Sequence, residues 1–278
     1  MEIQKGACYV VGTPIGNLED CSVRMLETLE SVDFIAAEDT RVTVKLLNHF
    51  NIKKPMVSYF NHNEEYRGTE IISRMRDGES CALVSDAGMP VISDPGESLV
   101  SKCSSAGIPV YVIPGPTALI SALVLSGLPA GRFTFEGFLT VNKRNRKAHL
   151  QSLINEQRTM IFYEAPHKLR RTLRDMLEFF GDRRIAIARE LTKIHEEVIR
   201  TTLSEAYKRY QSTEPRGEFV LVIDGAEQQI EKEVSLEEAV AAAKDYMGMG
   251  KSASDAAKQA SKESGIKKSE IYQGLVTK

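Results

Sequence analysis

Cys81-Ala-Leu-Val-Ser-Asp-Ala-Gly-Met-Pro-Val-Ile-Ser-Asp-Pro-Gly96 joins a short apolar run to a loop that holds two Ser-Asp pairs and two prolines. Cys81 to Val84 reads as a buried strand, and the turn formers behind it stop that strand. Asp94, Pro95 and Glu97 then read as a helix start, with Asp94 as cap, Pro95 in the first helical position and Glu97 completing a capping box. Plain strand-to-helix connectors usually span about 2 to 6 residues. A longer loop with paired carboxylates, on the carboxyl side of a strand, reads instead as part of a binding crevice in an open α/β sheet.

Working outward, 278 residues suggest two domains and a small appendage at about 100 to 200 residues each. The composition, 42% hydrophobic and 27% charged, is that of an ordinary globular chain. A net charge of -2 excludes a globally basic nucleic-acid binder, so any RNA contact must use a local patch. The four cysteines, at positions 8, 21, 81 and 103, have no Cys-x-x-Cys spacing, which argues against a zinc site and for a reducing compartment. No apolar run approaches the roughly 20 residues of a membrane span, so the expected setting is cytoplasmic.

In the first half, short apolar runs at 7–11, 34–37, 56–60 and 110–113 alternate with helical stretches, the pattern of parallel strands joined by right-handed crossovers. Gly12-Thr-Pro-Ile-Gly-Asn17 follows the first run, but the three-glycine dinucleotide fingerprint is absent. Ser22 reads as a helix cap. Glu38, Asp39 and Arg41 stand where the second strand turns to helix, and Asp39 or Thr40 as a plain cap with Arg41 solvated is the competing reading. His62 stands alone beside a cap, with no second ligand at metal spacing. Thr117 opens a helix whose free N–H groups could meet a ligand, and simple capping explains it equally well.

Beyond this point the pattern changes. Runs at 133–138, 159–163, 185–189, 197–203 and 218–223 have only two or three helices among them, which predicts a mixed or antiparallel sheet. The expected division is therefore 1–116, 117–225 and a tail at 226–278. Asn142-Lys-Arg-Asn-Arg-Lys147 reads as a basic loop, either a solvated face or a phosphate contact. Phe162 to Lys168 and Ala188 to Lys193 end strands with mixed charges. A polar, acidic linker at 226–233 leads to helices started by Ser235-x-x-Glu238 and Ser252-x-x-Asp255 and separated at Gly265. Their lysines suit either a free-standing helical bundle or an RNA-contacting helix-turn-helix module.

Six motifs then stand in order: Tyr9-Val-Val-Gly-Thr-Pro-Ile-Gly-Asn-Leu-Glu-Asp20, Ala37-Glu-Asp-Thr-Arg41, Leu83-Val-Ser-Asp-Ala-Gly-Met-Pro90, Ile113-Pro-Gly-Pro-Thr-Ala-Leu119, Phe162-Tyr-Glu-Ala-Pro-His167 and Ala188-Arg-Glu-Leu-Thr-Lys193. In register, from about residue 6 to 224, they resemble the tetrapyrrole methylase family, in particular its members that methylate a cytidine 2′-oxygen in the decoding centre of 16S rRNA. Val91, Ala165 and Cys21 stand where Gly, Ser and Ile are common in that family. The resemblance implies a two-domain α/β fold, S-adenosylmethionine as methyl donor, 16S rRNA in the small ribosomal subunit as partner, and a homodimer. It places the donor in an interdomain cleft beside Pro14, Ile15, Asp86, Ala87, Met89, Ser93, Asp94, Thr117, Ala118, Phe162, Tyr163 and Leu191.

Transfer to a ribose hydroxyl calls for attack geometry and a proton acceptor. Asp39, His62, Glu64, Glu164 and Glu190 are candidates, with Asp39, Glu164 and Glu190 favoured as catalytic groups at strand ends that RNA could reach. Arg41, His62, Lys143, Arg144, Arg146, Lys147, His167 and Lys168 are the expected RNA contacts. Alternatives on the same scaffold are methylation of a tetrapyrrole or other small molecule, and a noncatalytic rRNA-binding assembly factor.

Overall fold

The computed structural model describes residues 2–227 and 234–276; residues 228–233, most of the expected acidic linker, lie outside the described residues. The chain divides into two compact units, Met1–Ala226 and Glu227–Lys278. Both α/β halves expected from the sequence belong to the first unit.

In that unit β1 (Cys8–Val11), β2 (Phe34–Ala37), β3 (Met56–Ser58), β4 (Cys81–Val84) and β5 (Val110–Ile113) pair in the order β3-β2-β4-β1-β5. Every pairing is parallel, as the alternation with helices requires. Cys-Tyr-Val-Val, Phe-Ile-Ala-Ala and Cys-Ala-Leu-Val are buried at every position because helices cover both faces of the sheet. One face packs Met25 and Leu29 of α1 (Val23–Ser31) and Leu47 of α2 (Thr40–His49). The other packs Ile71 and Met75 of α3 (Glu64–Arg76) and Leu99 and Cys103 of α4 (Glu97–Ser105). Ser22 caps α1 by accepting the Met25 N–H at 3.1 Å, as expected.

The second sheet has the order β6-β7-β10-β8-β9. Its strands are β6 (Phe133–Phe138), β7 (Thr159–Glu164), β8 (Arg184–Arg189), β9 (Glu197–Thr202) and β10 (Phe219–Ile223). Only β6 and β7 pair in parallel and the rest are antiparallel, so the sheet is mixed, as the scarcity of crossover helices implies. Side chains alternate across it. Met160, Phe162, Ile185, Ile187, Phe219 and Leu221 enter a core with α7 (Pro166–Phe180) and α8 (Leu203–Ser212). Ile161, Ala186, Ala188, Val220 and Val222 face the other way, against α5 (Ala118–Ser126).

Two local expectations are corrected. The basic run is not a loop: Asn142 accepts the Arg144 and Asn145 N–H groups, each at 3.1 Å, and Lys143–Ser152 is α6. A side-chain cap followed by good helix formers outweighs the charge repulsion of an exposed face. Nor does α4 start at Pro95 under an Asp94 cap. It begins at Glu97 behind Gly96, whose φ of 135° places it outside the range of other residues.

Among its described residues the second unit holds three helices, α9 (Leu236–Gly248), α10 (Ala253–Ser264) and α11 (Lys268–Val276), around a small core of Ala239, Ala243, Ala256, Ala257, Ala260 and Ile271. The Ser235/Glu238 capping box forms in full, Ser252 caps α10, and Gly265 closes it in the left-handed conformation.

Candidate active site

The loop quoted at the outset leaves β4, the middle strand of the first sheet. Its shape is fixed by its neighbours. Thr13, after β1, and Gly88 exchange backbone hydrogen bonds of 2.8 and 3.1 Å, which zips the two loops together. On the other side, Gly12 and Gly115 meet backbone to backbone, and a Cβ on either would lie 2.8 Å from the other's main chain. Val91 (φ 78°) and Ser93 (φ 66°) take left-handed conformations on the way to Gly96. That geometry costs an ordinary residue about 1 to 3 kcal/mol, and such strain clusters at binding sites. Asp94 therefore does not cap α4 and lines the cleft instead; Glu64 accepts the Gly96 N–H at 3.1 Å.

A cleft of about 430 Å³ opens between these loops and the second sheet. Ile15, Asp86, Ala87, Met89, Ser93, Asp94, Thr117, Ala118, Tyr163 and Leu191 line it, all of them expected donor contacts. Pro14 and Phe162 do not line it. Phe162 is buried in the opposite core because consecutive residues of β7 face opposite sides, so Tyr163 alone of the pair reaches the cleft. The Tyr163 hydroxyl accepts the Leu119 N–H at 3.2 Å and so occupies one free donor at the start of α5; the Thr117 side chain makes no capping bond. Glu38, Phe138, Ala188, Glu218 and Val220 also line it, although none of them was expected to touch the donor. Glu38 and Ala188 sat inside quoted motifs, and the alternation of β10 would have found Val220.

The walls are apolar while the interior is acidic. The loops after β2 and β4 exchange two bonds, Asp39 N–H to Asp86 Oδ1 at 3.1 Å and Asp86 N–H to Glu38 Oε2 at 3.3 Å. Burial raises the proton affinity of both Glu38 and Asp86, with the charge of Asp39 adding to it at both and that of Asp86 adding to it at Glu38. Asp94 is pushed up to about 6, by burial first and then by the charges of Glu38 and Asp86, against the opposing Ser85 hydroxyl. Among the described residues no group of three His, Cys, Asp or Glu could hold a metal ion.

The three favoured catalytic carboxylates are all engaged. Asp39 caps α2 and holds Arg41 through its Nε and Nη2 (3.0 and 2.6 Å), which drives its pKa down to about 2, too low for a useful base near neutral pH. Glu190 lies outside the cleft lining. Burial alone would raise its pKa, but the Lys193 ammonium at 3.0 Å and the Glu218 N–H at 3.0 Å hold it below the usual carboxylate range. Glu164 does line the cleft, yet it is buried and accepts the Thr172 hydroxyl and, at 2.9 Å, the Ala165 N–H.

The expected RNA contacts divide likewise. Arg41, His62, Lys143, Arg144, Lys147 and His167 are exposed, and Lys168 is half-buried. Arg146 is the exception. It is 4% exposed, donates to Asp175 at 2.7 Å and to Thr172 at 2.8 Å, and so ties α6 to α7 rather than facing phosphate. Arg171 and Arg174, not singled out in the sequence, approach the same Asp175 carboxylate at 3.6 and 3.2 Å. One anion thus faces three guanidinium groups, and the surface of α6 and α7 keeps a surplus of positive charge.

Comparison with known proteins follows the same lines. The sequence profile of the Tetrapyrrole (Corrin/Porphyrin) Methylases matches residues 7–207. The chain is 48% identical over 269 residues to the ribosomal RNA small subunit methyltransferase I of Synechocystis sp., covering 96% of each chain. It is 50% identical over 222 residues to that of Thermotoga maritima, covering 80% of this chain and all of the relative. Among solved structures, the uroporphyrin-III C-methyltransferase of Thermus thermophilus, complexed with S-adenosyl homocysteine, superposes with a TM-score of 0.55 at 17% identity, over 78% of this chain and 97% of that one.

Proposed function

The chain belongs to the tetrapyrrole methylase family, and from that premise we propose that it is an S-adenosylmethionine-dependent ribosomal RNA methyltransferase whose acceptor is the 2′-oxygen of a cytidine in the decoding centre of 16S rRNA. The observation that carries the reading is the cleft itself. Apolar walls from Ile15, Ala118, Leu191 and Val220 enclose an interior that holds Glu38, Asp86 and Asp94. That donor set fits S-adenosylmethionine: the carboxylates balance its positive charge and accept from its hydroxyl and amino groups, and the apolar walls take its adenine. When bound, S-adenosylmethionine supplies an electrophilic methyl group on a sulfonium.

The chain's own part is to position, to dry and to take a proton. Asp86 and Asp94 orient the cationic donor. Glu38 takes the proton of the attacking hydroxyl; it receives one backbone hydrogen bond, of 3.3 Å, and burial keeps its proton affinity above the ordinary carboxylate range. Lys143, Arg144 and Lys147 on α6, with Arg171 and Arg174 on α7, hold the RNA backbone and compensate for a chain whose net charge is -2. The protein works in the cytoplasm, where its four free cysteines stay reduced. It acts as a homodimer, joined through the exposed apolar side chains of β5 and α5, namely Tyr111, Val112, Ile120 and Val124.

Incubation with radioactive S-adenosylmethionine and small ribosomal subunits from cells lacking the enzyme tests the reading. Label should appear on one cytidine ribose of 16S rRNA. Transfer to a porphyrinoid instead, or no transfer at all, refutes it. A light-scattering mass near 30.9 kDa refutes the dimer.

A further inference from the structure

Between β8 and β9, residues 190–196 form a turn whose backbone enters the left-handed region twice, at Glu190 (φ 51°) and Thr192 (φ 65°). Non-glycine residues stay there only where their surroundings impose it. Here the imposition is a clamp. Lys193 Nζ donates to Glu190 at 3.0 Å and to Glu218 at 2.9 Å, and the Thr192 N–H donates to the Glu196 carboxylate at 2.6 Å. The clamp holds Ile194 out in solvent at 98% exposure, the highest of any large apolar side chain among the described residues, with exposed His195 next to it.

This turn belongs to the rim of the cleft. Leu191 lines the cleft, and Thr192 to His195 line a second depression of about 450 Å³ whose far wall is Gly16 and Asn17. Gly16 directly follows Ile15 of the cleft, so the same two loops carry both hollows. The loops touch between them: a Cβ on Gly16 would lie 2.6 Å from Lys193 Cγ.

An isoleucine held rigidly in water contributes nothing to the core, and a pinned loop gives it no way to fold back. A ribose inside an RNA stack cannot present its 2′-oxygen to a narrow cleft unless its nucleotide leaves the stack. Proteins that unstack nucleotides use apolar wedges to separate base steps. We infer that Ile194 is such a wedge: it enters the gap left by the target nucleotide, and the adjoining depression, with His195 at its edge, receives the base of the neighbouring unpaired nucleotide. This rests on the RNA substrate proposed above.

The test uses the full chain with Ile194→Ala, Ile194→Leu and His195→Ala. Both sites are exposed, and circular dichroism melting checks that the variants fold. With small subunits as substrate, Ile194→Ala should lower kcat/KM by about tenfold while Ile194→Leu restores most of it. Calorimetric affinity for S-adenosylmethionine should be unchanged in both. In a decoding-region RNA hairpin carrying 2-aminopurine beside the target cytidine, wild type should raise the fluorescence through unstacking; Ile194→Ala should not, and His195→Ala should reduce the rise. Wild-type methyl transfer together with an Ile194→Ala variant that transfers or brightens equally well overturns the wedge alone. Absence of RNA methylation by wild type overturns the substrate reading and the wedge with it.

Discussion

Replacing Asp94 by Asn should make the protein more stable and a poorer binder of its donor, and the size of the first effect follows from the cleft. Asp94 ionises at about 6 instead of its usual 3.8, chiefly because it is buried and then because Glu38 and Asp86 are charged nearby. At 1.36 kcal/mol per pH unit a fully enclosed group would carry about 3 kcal/mol; Asp94 is partly open to solvent, and screening reduces this to about 1 to 2 kcal/mol. The sign is set by linkage: the folded state binds the proton more tightly than the unfolded one, so the wild type is relatively most stable below the unfolded value near 3.8. It loses that increment as pH rises through about 6. Asn cannot ionise, so Asp94→Asn should match wild type near pH 4 and melt roughly 2 to 8 °C higher at pH 8. Calorimetry at pH 8 should show the opposite order for S-adenosylmethionine, since the anion that destabilises the empty cleft is the one that meets the donor's positive charge. Wild-type donor affinity should also fall below pH 6, and the variant's should not. A stability difference that is the same at pH 4 and pH 8 would refute the electrostatic origin assigned to this shift.

Arg146→Ala should cost about 3 kcal/mol in urea denaturation, because it opens a buried ion pair. Glu at Lys143, Arg144 and Lys147 should instead leave stability nearly unchanged and reduce the steepness of log K against log salt for RNA by about 2 to 3, as read by filter binding. Asp39→Asn should release Arg41 and lower the melting temperature, whereas Glu190→Gln should loosen Lys193; both should lower turnover while calorimetric donor binding persists. Truncation after Ala226 should leave donor affinity intact, since residues 1–226 form a compact unit and the whole Thermotoga maritima relative matches 222 residues of this chain. Loss of donor binding in the truncated chain would refute this.

The contrast between neighbouring residues shows where sequence reading stops. Arg144 and Arg146 look alike in a basic run, yet one faces solvent and the other is sealed beneath α7. Phe162 and Tyr163 stand side by side in one motif, and the pleat sends them to opposite faces of β7. Val91 is β-branched, and the structure nevertheless gives it a φ of 78°, a backbone demand that its residue type does not announce. Asp94 looks like a cap, and the coil of its loop makes it part of the cleft interior instead.

Local physics thus made the elements legible from sequence alone: apolar four-residue runs that demand burial on both faces, alternating helices that demand parallel pairing, and caps at Ser22, Ser235 and Ser252 that bond within their own turn. The loops that hold the cleft were legible for the same reason, since turn formers act on adjacent residues. What only the tertiary structure decided is which charges remain available. Whether Glu164, Glu190 or Arg146 can act depends on the partners that fill their hydrogen bonds. Thr172 and Asp175, like the Glu218 N–H at Glu190, are brought there by chain segments up to 29 residues away, and no local pattern encodes that proximity.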